Sequence, residues 1–280
     1  MSITIKRLGG TLGAEIDGVD LSENLDKTKI AHIRQALLDN LVIFFRDQNL
    51  TDEDLVRVGK NFGELAPLPP HRQNPGSQPE ILVVEKKPSE KLNFGYEWHS
   101  DTTHLPIPPL GSILYALKVP QQGGDTMFAN QYLAYDALSD GMKRMLADLR
   151  IVFTNANTYG KDATRFKTGV AKDMTVAQAP EEKEVLHPIV RTHPETGRKE
   201  LYLSTTHFSH IEGMTKAESQ PLLDQLSKHA VRPDFTCRFK WRPGSIAMWD
   251  NRCTMHYAVN DFPEARRIMQ RVTLQGDRPF

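Results

Sequence analysis

Apolar and polar positions alternate along the chain in a mixed pattern that predicts many short strands and a few helices. Ile30, Ile33, Leu37 and Leu38 recur at helical spacing and predict an amphipathic helix over residues 27–40. The unbroken apolar run Leu41-Val-Ile-Phe-Phe45 follows at once and reads as a buried strand. Thr51 is placed to cap a second helix, with Leu55, Val58 and Phe62 on one face. Ile81–Val84 and Ser112–Val119 predict further strands, the latter followed by a Gly123-Gly124 turn. Residues 131–148 read as a broken helix that restarts at Ser139. Between Leu186 and Ser204, two β runs flank Pro194-Glu-Thr-Gly197, which is a hairpin signal. Thr215 with Glu218 forms a capping-box pattern ahead of Leu222, Leu223 and Leu226. Phe235–Trp241, Ser245–Trp249 and Arg267–Leu274 close the chain as strands. The stretch 155–184, rich in Lys, Thr and Ala, carries the weakest pattern. It is read as a long loop or active-site lid inside a single domain of residues 1–280.

Composition narrows the function classes. A chain of 280 residues can bury a large core around a pocket. Its 35 basic and 35 acidic residues cancel, and no basic run is interleaved with aromatics, which argues against nucleic-acid binding. No stretch approaches the roughly 18 apolar residues of a membrane span, and the first residues lack a signal-type apolar core. Only two cysteines occur, Cys237 and Cys253, with no Cys-x-x-Cys motif. A cytoplasmic protein with reduced thiols is expected.

The segment Trp98-His99-Ser100-Asp101-Thr102 carries the candidate chemistry. On an extended chain alternate side chains share a face, so His99 and Asp101 could point at one ion. His256, expected just past an apolar strand, is the candidate third ligand. Two histidines and one carboxylate on one face leave positions open for O2 and a bidentate co-substrate, the ligand set of non-haem Fe(II) oxygenases. With ten histidines in the chain, a hydrogen-bonded surface pair is the plainer alternative for His99 and Asp101. Trp98 and Trp249 are read as core or pocket wall. His104, His187, His193, His207 and His210 are given no role.

Further motifs stand in order along the chain: Gly13–Asp20, Phe44-Phe-Arg-Asp-Gln48, Phe62-Gly-Glu-Leu65, Gly123-Gly-Asp-Thr126, Leu186–Pro194 and Trp249-Asp-Asn-Arg252. With the His99 segment and the stretch from Arg267 to Pro279, they resemble the taurine dioxygenase and aryloxyalkanoate dioxygenase family of Fe(II)/2-oxoglutarate enzymes. The resemblance implies a mostly β fold with flanking helices, a distorted double-stranded β-helix or cupin-like jelly roll. It implies that His99, Asp101 and His256 bind Fe(II). Thr126 and Arg267 would hold the distal carboxylate of 2-oxoglutarate, and Arg271 would sit near the substrate anion and the keto-acid end. Arg267 and Arg271, four apart, face one side of a strand, and a guanidinium fork matches a carboxylate. O2 is the second co-substrate, with succinate and CO2 as co-products. A homo-oligomer, dimer or tetramer, is also implied.

The pattern departs from the taurine-specific members on the substrate side. Leu68 stands where they carry a histidine, His71 where they carry a tyrosine, and Gly95 where they carry an asparagine. With Thr102 and Arg271, these are the candidate substrate contacts. A less polar pocket suits an apolar body with one anionic group: an aryloxyalkanoate, alkyl sulfate or sulfonate. Ile211–Met214 and Asp234–Arg238 look closer to the aryloxyalkanoate branch. Asp101 itself points to hydroxylation, since related halogenases replace this carboxylate by a small residue. Taurine dioxygenase proper, a zinc hydrolase and a non-catalytic anion-binding barrel are the alternatives. The zinc hydrolase lacks a His-Glu-x-x-His helix, and the inert barrel would be expected to have lost a ligand.

Overall fold

The computed structural model describes residues 3–66, 68, 78–156 and 183–280. His71 and most of the expected lid at 155–184 lie outside them. In chain order the elements are β1 (Thr4–Arg7), β2 (Ala14–Asp17), α1 (Lys27–Asn40), β3 (Val42–Phe45), α2 (Asp52–Lys60), β4 (Leu82–Lys86), β5 (Gly111–Lys118) and β6 (Thr126–Asn130). There follow α3 (Gln131–Asp136), α4 (Asp140–Leu146), β7 (Arg150–Thr154), β8 (Glu184–Pro188), β9 (Val190–Thr192), β10 (Lys199–Leu201) and β11 (Phe208–Ile211). The chain ends with α5 (Lys216–Ala230), β12 (Thr236–Phe239), β13 (Ile246–Asp250), β14 (Thr254–Ala258) and β15 (Arg267–Leu274).

Local chemistry sets the helix ends. The Asp26 carboxylate accepts from the Lys29 N–H at 2.8 Å to start α1. Thr51 with Asp54 and Thr215 with Glu218 close reciprocal capping boxes at α2 and α5. Leu41, expected in the strand, instead ends α1 at a left-handed φ of 66°. Its N–H reaches the Leu37 carbonyl at 2.7 Å, and the turn feeds the chain straight into β3.

The strands form a main sheet in the order β1-β2-β3-β13-β5-β15-β4 and a smaller one in the order β12-β6-β14. The β2–β3 pair is parallel, and every other pair in these two sheets is antiparallel. β13 shows how the layers stack, because alternate strand residues point to opposite faces. Ile246 and Met248 pack with Ile33 and Leu37 of α1 and Leu55 and Val58 of α2. Ala247 and Trp249 face the other way, against Phe128 of β6 and Phe239 of β12. Phe44 of β3 bridges the two sheets, stacked on Phe239 with ring centroids 3.9 Å apart. Two facing sheets with helices outside match the expected jelly roll. A third core gathers α3, α5, β7 and β10 around Phe153, Leu201, Leu223 and Leu226.

The first of the two runs expected between Leu186 and Ser204 divides at Ile189. β8 joins a sheet of order β11-β7-β8, while β9 pairs with β10 across the anticipated hairpin.

Candidate metal centre

β14 delivers His256. Met255 turns into the third core, so Thr254, His256 and Ala258 face the space between the sheets. The sequence placed His256 just past a strand; it lies inside one, because this polar face breaks the apolar run. His99 sits opposite in an isolated two-residue bridge. Its N–H reaches the His256 carbonyl at 3.0 Å, and the His256 N–H reaches the His99 carbonyl at 2.8 Å.

Beyond His99 the chain is not extended for long. Thr102 takes φ 46°, a conformation β-branched residues rarely adopt, and the turn holds Asp101 beside the two rings. Asn251, fully buried, clamps that turn. Its Oδ1 accepts from the Asp101 N–H at 2.7 Å, and its Nδ2 donates to the carbonyls of Asp101 and Pro109, each at 3.2 Å.

The result is a compact donor cluster. Asp101 Oδ1 lies 3.9 Å from His99 Nε2 and 4.0 Å from His256 Nε2, and all three side chains are buried. The His99 Nδ1–H donates to the Glu97 carbonyl at 2.7 Å, which assigns the Nε2 lone pair to the cluster. Burial pulls the His256 pKa down to about 3, helped by His99 and Arg271, so this imidazole is neutral. Burial alone would raise the Asp101 carboxyl. The Arg271 guanidinium, then His256, His99 and the Ser112 hydroxyl, overcome it and hold Asp101 well below the usual carboxylate range. Arg271 Nη1 is 3.0 Å from Asp101 Oδ1, and Ser112 Oγ is 3.1 Å from Oδ2. A neutral His256, the Nε2 of His99 turned to the cluster and an ionised carboxylate make a metal-ready set, and its composition fits Fe(II).

The cluster opens on a narrow cleft lined by Val84, Phe94, Gly95, Leu114, Thr126, Trp249, Arg267 and Arg271, among others. Arg267 is 3% exposed, and its Nε and Nη2 find no hydrogen-bond partner among the described residues. Burial pulls its pKa down to about 10. An unpaired buried guanidinium is costly unless an anion meets it, so the cleft fits the far carboxylate of 2-oxoglutarate. Arg267 and Arg271 do share a face, with Met269 between them packed into the inter-sheet core.

The structure thus brings together His99, Asp101, His256, Thr126, Arg267, Arg271 and Gly95. Leu68, half-buried, and Thr102, in the turn past the carboxylate, do not line this cleft. His71 lies outside the described residues. Sequence reasoning missed Asn251 and Ser112, and it missed Trp241, whose indole meets Thr126. The Trp249-Asp-Asn-Arg252 motif was the one available signal for Asn251.

A second group of donors, His193, Asp250 and Cys253, also lies close together and buried. It is a different object. His193 Nδ1 accepts from the N–H groups of Glu195 and Thr196, both at 3.2 Å, so Nε2 carries the proton and donates to Asp250 at 3.0 Å. No imidazole lone pair remains for a metal.

Residues 4–273 match the family model described as "Taurine catabolism dioxygenase TauD, TfdA family". An alpha-ketoglutarate-dependent sulfate ester dioxygenase of Pseudomonas putida is 34% identical, over 100% of this chain and 91% of its own length. An alpha-ketoglutarate-dependent 2,4-dichlorophenoxyacetate dioxygenase of Cupriavidus pinatubonensis is 32% identical, over 99% of each chain. A crystal structure described as a putative alpha-ketoglutarate-dependent taurine dioxygenase from Burkholderia xenovorans superposes with a TM-score of 0.85 at 38% identity, over 99% of this chain and 94% of that one.

Proposed function

Because the chain belongs to the TauD, TfdA family of dioxygenases, we propose that it hydroxylates a small anionic organic compound using Fe(II), 2-oxoglutarate and O2. Succinate and CO2 are the co-products. The substrate is an alkyl sulfate, a sulfonate or an aryloxyalkanoate, classes that the names of several relatives carry. The observation that supports this most is the meeting of two features in one cleft: a buried His-Asp-His cluster and Arg267, whose Nε and Nη2 have no partner among the described residues.

His99 and His256 offer their Nε2 lone pairs to the iron, and Asp101 offers Oδ1. When bound, the iron supplies the activation of O2, coupled to decarboxylation of the keto acid; the protein supplies geometry and charge. Arg267 and Thr126 bind the far carboxylate. Arg271, which reaches from the cleft to Asp101, orients the keto-acid end and steers the substrate anion. Val84, Phe94, Leu114 and Trp249 give the cleft apolar walls that exclude water and suit an apolar substrate body. Gly95, at φ 81°, brings its backbone close to the His99 ring, and an added Cβ would stand 3.1 Å from Cε1. Leu68 and Thr102 lie off the cleft and are left out of the substrate-side set, in which His71 is kept as a proposal. No helix among the described residues is long and apolar enough to cross a membrane. Two free cysteines agree with a reducing compartment, and we place the enzyme in the cytoplasm as a homo-oligomer.

The test is oxygen uptake and succinate formation by protein loaded anaerobically with Fe(II) and 2-oxoglutarate. The panel holds taurine, alkyl sulfates, alkyl sulfonates and aryloxyalkanoates of both hands. One anionic class should stimulate turnover above the uncoupled rate. Failure to bind 2-oxoglutarate, with no uptake for any class, would overturn the reading.

A further inference from the structure

We propose that Trp241 is a positioning residue for the keto-acid co-substrate, acting by fixing the Thr126 hydroxyl as a hydrogen-bond donor into the cleft. The inference rests on the assignment of Thr126 and Arg267 to the far carboxylate made above.

The argument is one of proton direction. Trp241 lies two residues past β12, whose Phe239 stands opposite Thr126 across the β12–β6 ladder. Its indole Nε1–H reaches Thr126 Oγ1 at 2.9 Å in a buried contact, with the two residues 4% and 3% exposed. An indole N–H can only donate, so the threonine oxygen must accept. That leaves Thr126 one proton of its own, and no protein acceptor takes it among the described residues. Thr126 lines the same cleft as Arg267, whose Nε and Nη2 have no partner among the described residues. Trp241 therefore fills one of the two acceptor sites of the hydroxyl and biases its rotor to present the O–H to the cleft, which is the polarity a carboxylate requires.

The ring contributes a second constraint. The Arg267 guanidinium carbon lies 5.7 Å from the Trp241 ring centroid, within the range of a cation–π contact. Phe239 holds the indole edge-on, with centroids 4.9 Å apart at 86°. One side chain thus sets the direction of the Thr126 proton and forms a wall beside the cation that shares its ligand.

The experiment is anaerobic titration of 2-oxoglutarate into Fe(II)-loaded protein, with metal affinity and thermal melting measured alongside. Trp241→Phe removes the N–H and keeps an aromatic ring. It should weaken 2-oxoglutarate binding about three- to tenfold, the worth of one hydrogen bond. The KM for 2-oxoglutarate should rise by the same factor with less change in kcat, and Fe(II) affinity should be unaltered. Thr126→Val should weaken binding by itself, and adding Trp241→Phe to it should cost nothing further on the hydrogen-bond account. Independent losses in the double variant, an unchanged affinity in Trp241→Phe, or parallel losses of iron, co-substrate and stability would each overturn the proposal. If Thr126→Val binds 2-oxoglutarate normally, the assignment of Thr126 falls and the proposal falls with it. A second measurement needs no substitution. The chain has three tryptophans. With indole-15N label in Zn(II)-loaded protein, the Trp241 N–H resonance should shift and exchange more slowly on adding 2-oxoglutarate. No shift would overturn the proposal.

Discussion

Asp101 and Asp250 are both buried carboxylates held well below the ordinary range, yet one belongs to the candidate metal cluster and the other to a strut. Asp250 is saturated. It accepts from the Arg252 N–H, Nε and Nη2 and from His193 Nε2, at 2.6 to 3.0 Å. Arg252 continues to Glu195, and Glu195 to Arg34. Every strong valence in that chain is spent within the protein. Asp101 has one cation, one hydroxyl and two imidazole nitrogens about 4 Å away, too far for hydrogen bonds and well spaced for a shared ion. Residue types and burial are nearly the same in the two clusters. The direction of the ring protons separates them: His99 turns its N–H out to a backbone carbonyl, while His193 turns its N–H in to the carboxylate.

The sharpest way to break the comparison is to exchange the lesions. Asp101→Ala should abolish metal binding and turnover with a modest change in the urea midpoint of the metal-free protein. Asp250→Ala should cost about 3–5 kcal/mol of stability by stranding the buried Arg252. Equal destabilisation in the two variants, or metal retained by Asp101→Ala, would erase the distinction.

Asn251→Ala should fall between the extremes. It leaves all three ligands in place and removes the clamp on the strained turn that presents Asp101. Metal affinity should drop about 10–100-fold, as for other losses behind a ligand shell, read by Mn(II) electron resonance. An unchanged affinity would mean that the turn at Thr102 holds itself.

The smallest effect comes from a buried carboxyl that has neither a metal cluster nor donors. Neither Glu200 oxygen finds a hydrogen bond among the described residues, and the Nη2 of Arg191 is committed to Asp277 at 2.6 Å. Burial pushes the Glu200 pKa from 4.5 up to about 9, with Arg191 in partial opposition. Because the folded value is raised, its stabilising contribution is full below 4.5 and is lost as the pH rises towards 9. Melting curves of Glu200→Gln and the unaltered protein should therefore converge in acid and separate by a few degrees in mild alkali, with the variant the more stable. Parallel curves across that range would mean that Glu200 is already ionised at neutral pH.

The sequence was most informative where the causes are local. The caps at Thr51 and Thr215 and the strand from Arg267 to Leu274 need only neighbouring residues to be recognised. β6 and β14 went unseen because they are short, mix polar with apolar side chains and owe their existence to partners far along the chain. The candidate metal ligands and the two cleft arginines were legible through an ordered set of motifs rather than through spacing alone. Trp241 was not, because its role comes from a hydrogen bond spanning 115 positions. Asn251 stood inside a recognised motif, but only the folded turn shows which backbone groups it holds.

The reciprocal main-chain bridge between His99 and His256 also bears on biogenesis. It joins two points 157 residues apart, so its closure requires a long loop to be drawn shut. On a ribosome, His99 and Asp101 emerge well before β14 has been synthesised. The nascent protein therefore passes a long interval with an incomplete donor set, and iron loading becomes a step that follows the docking of the last strands.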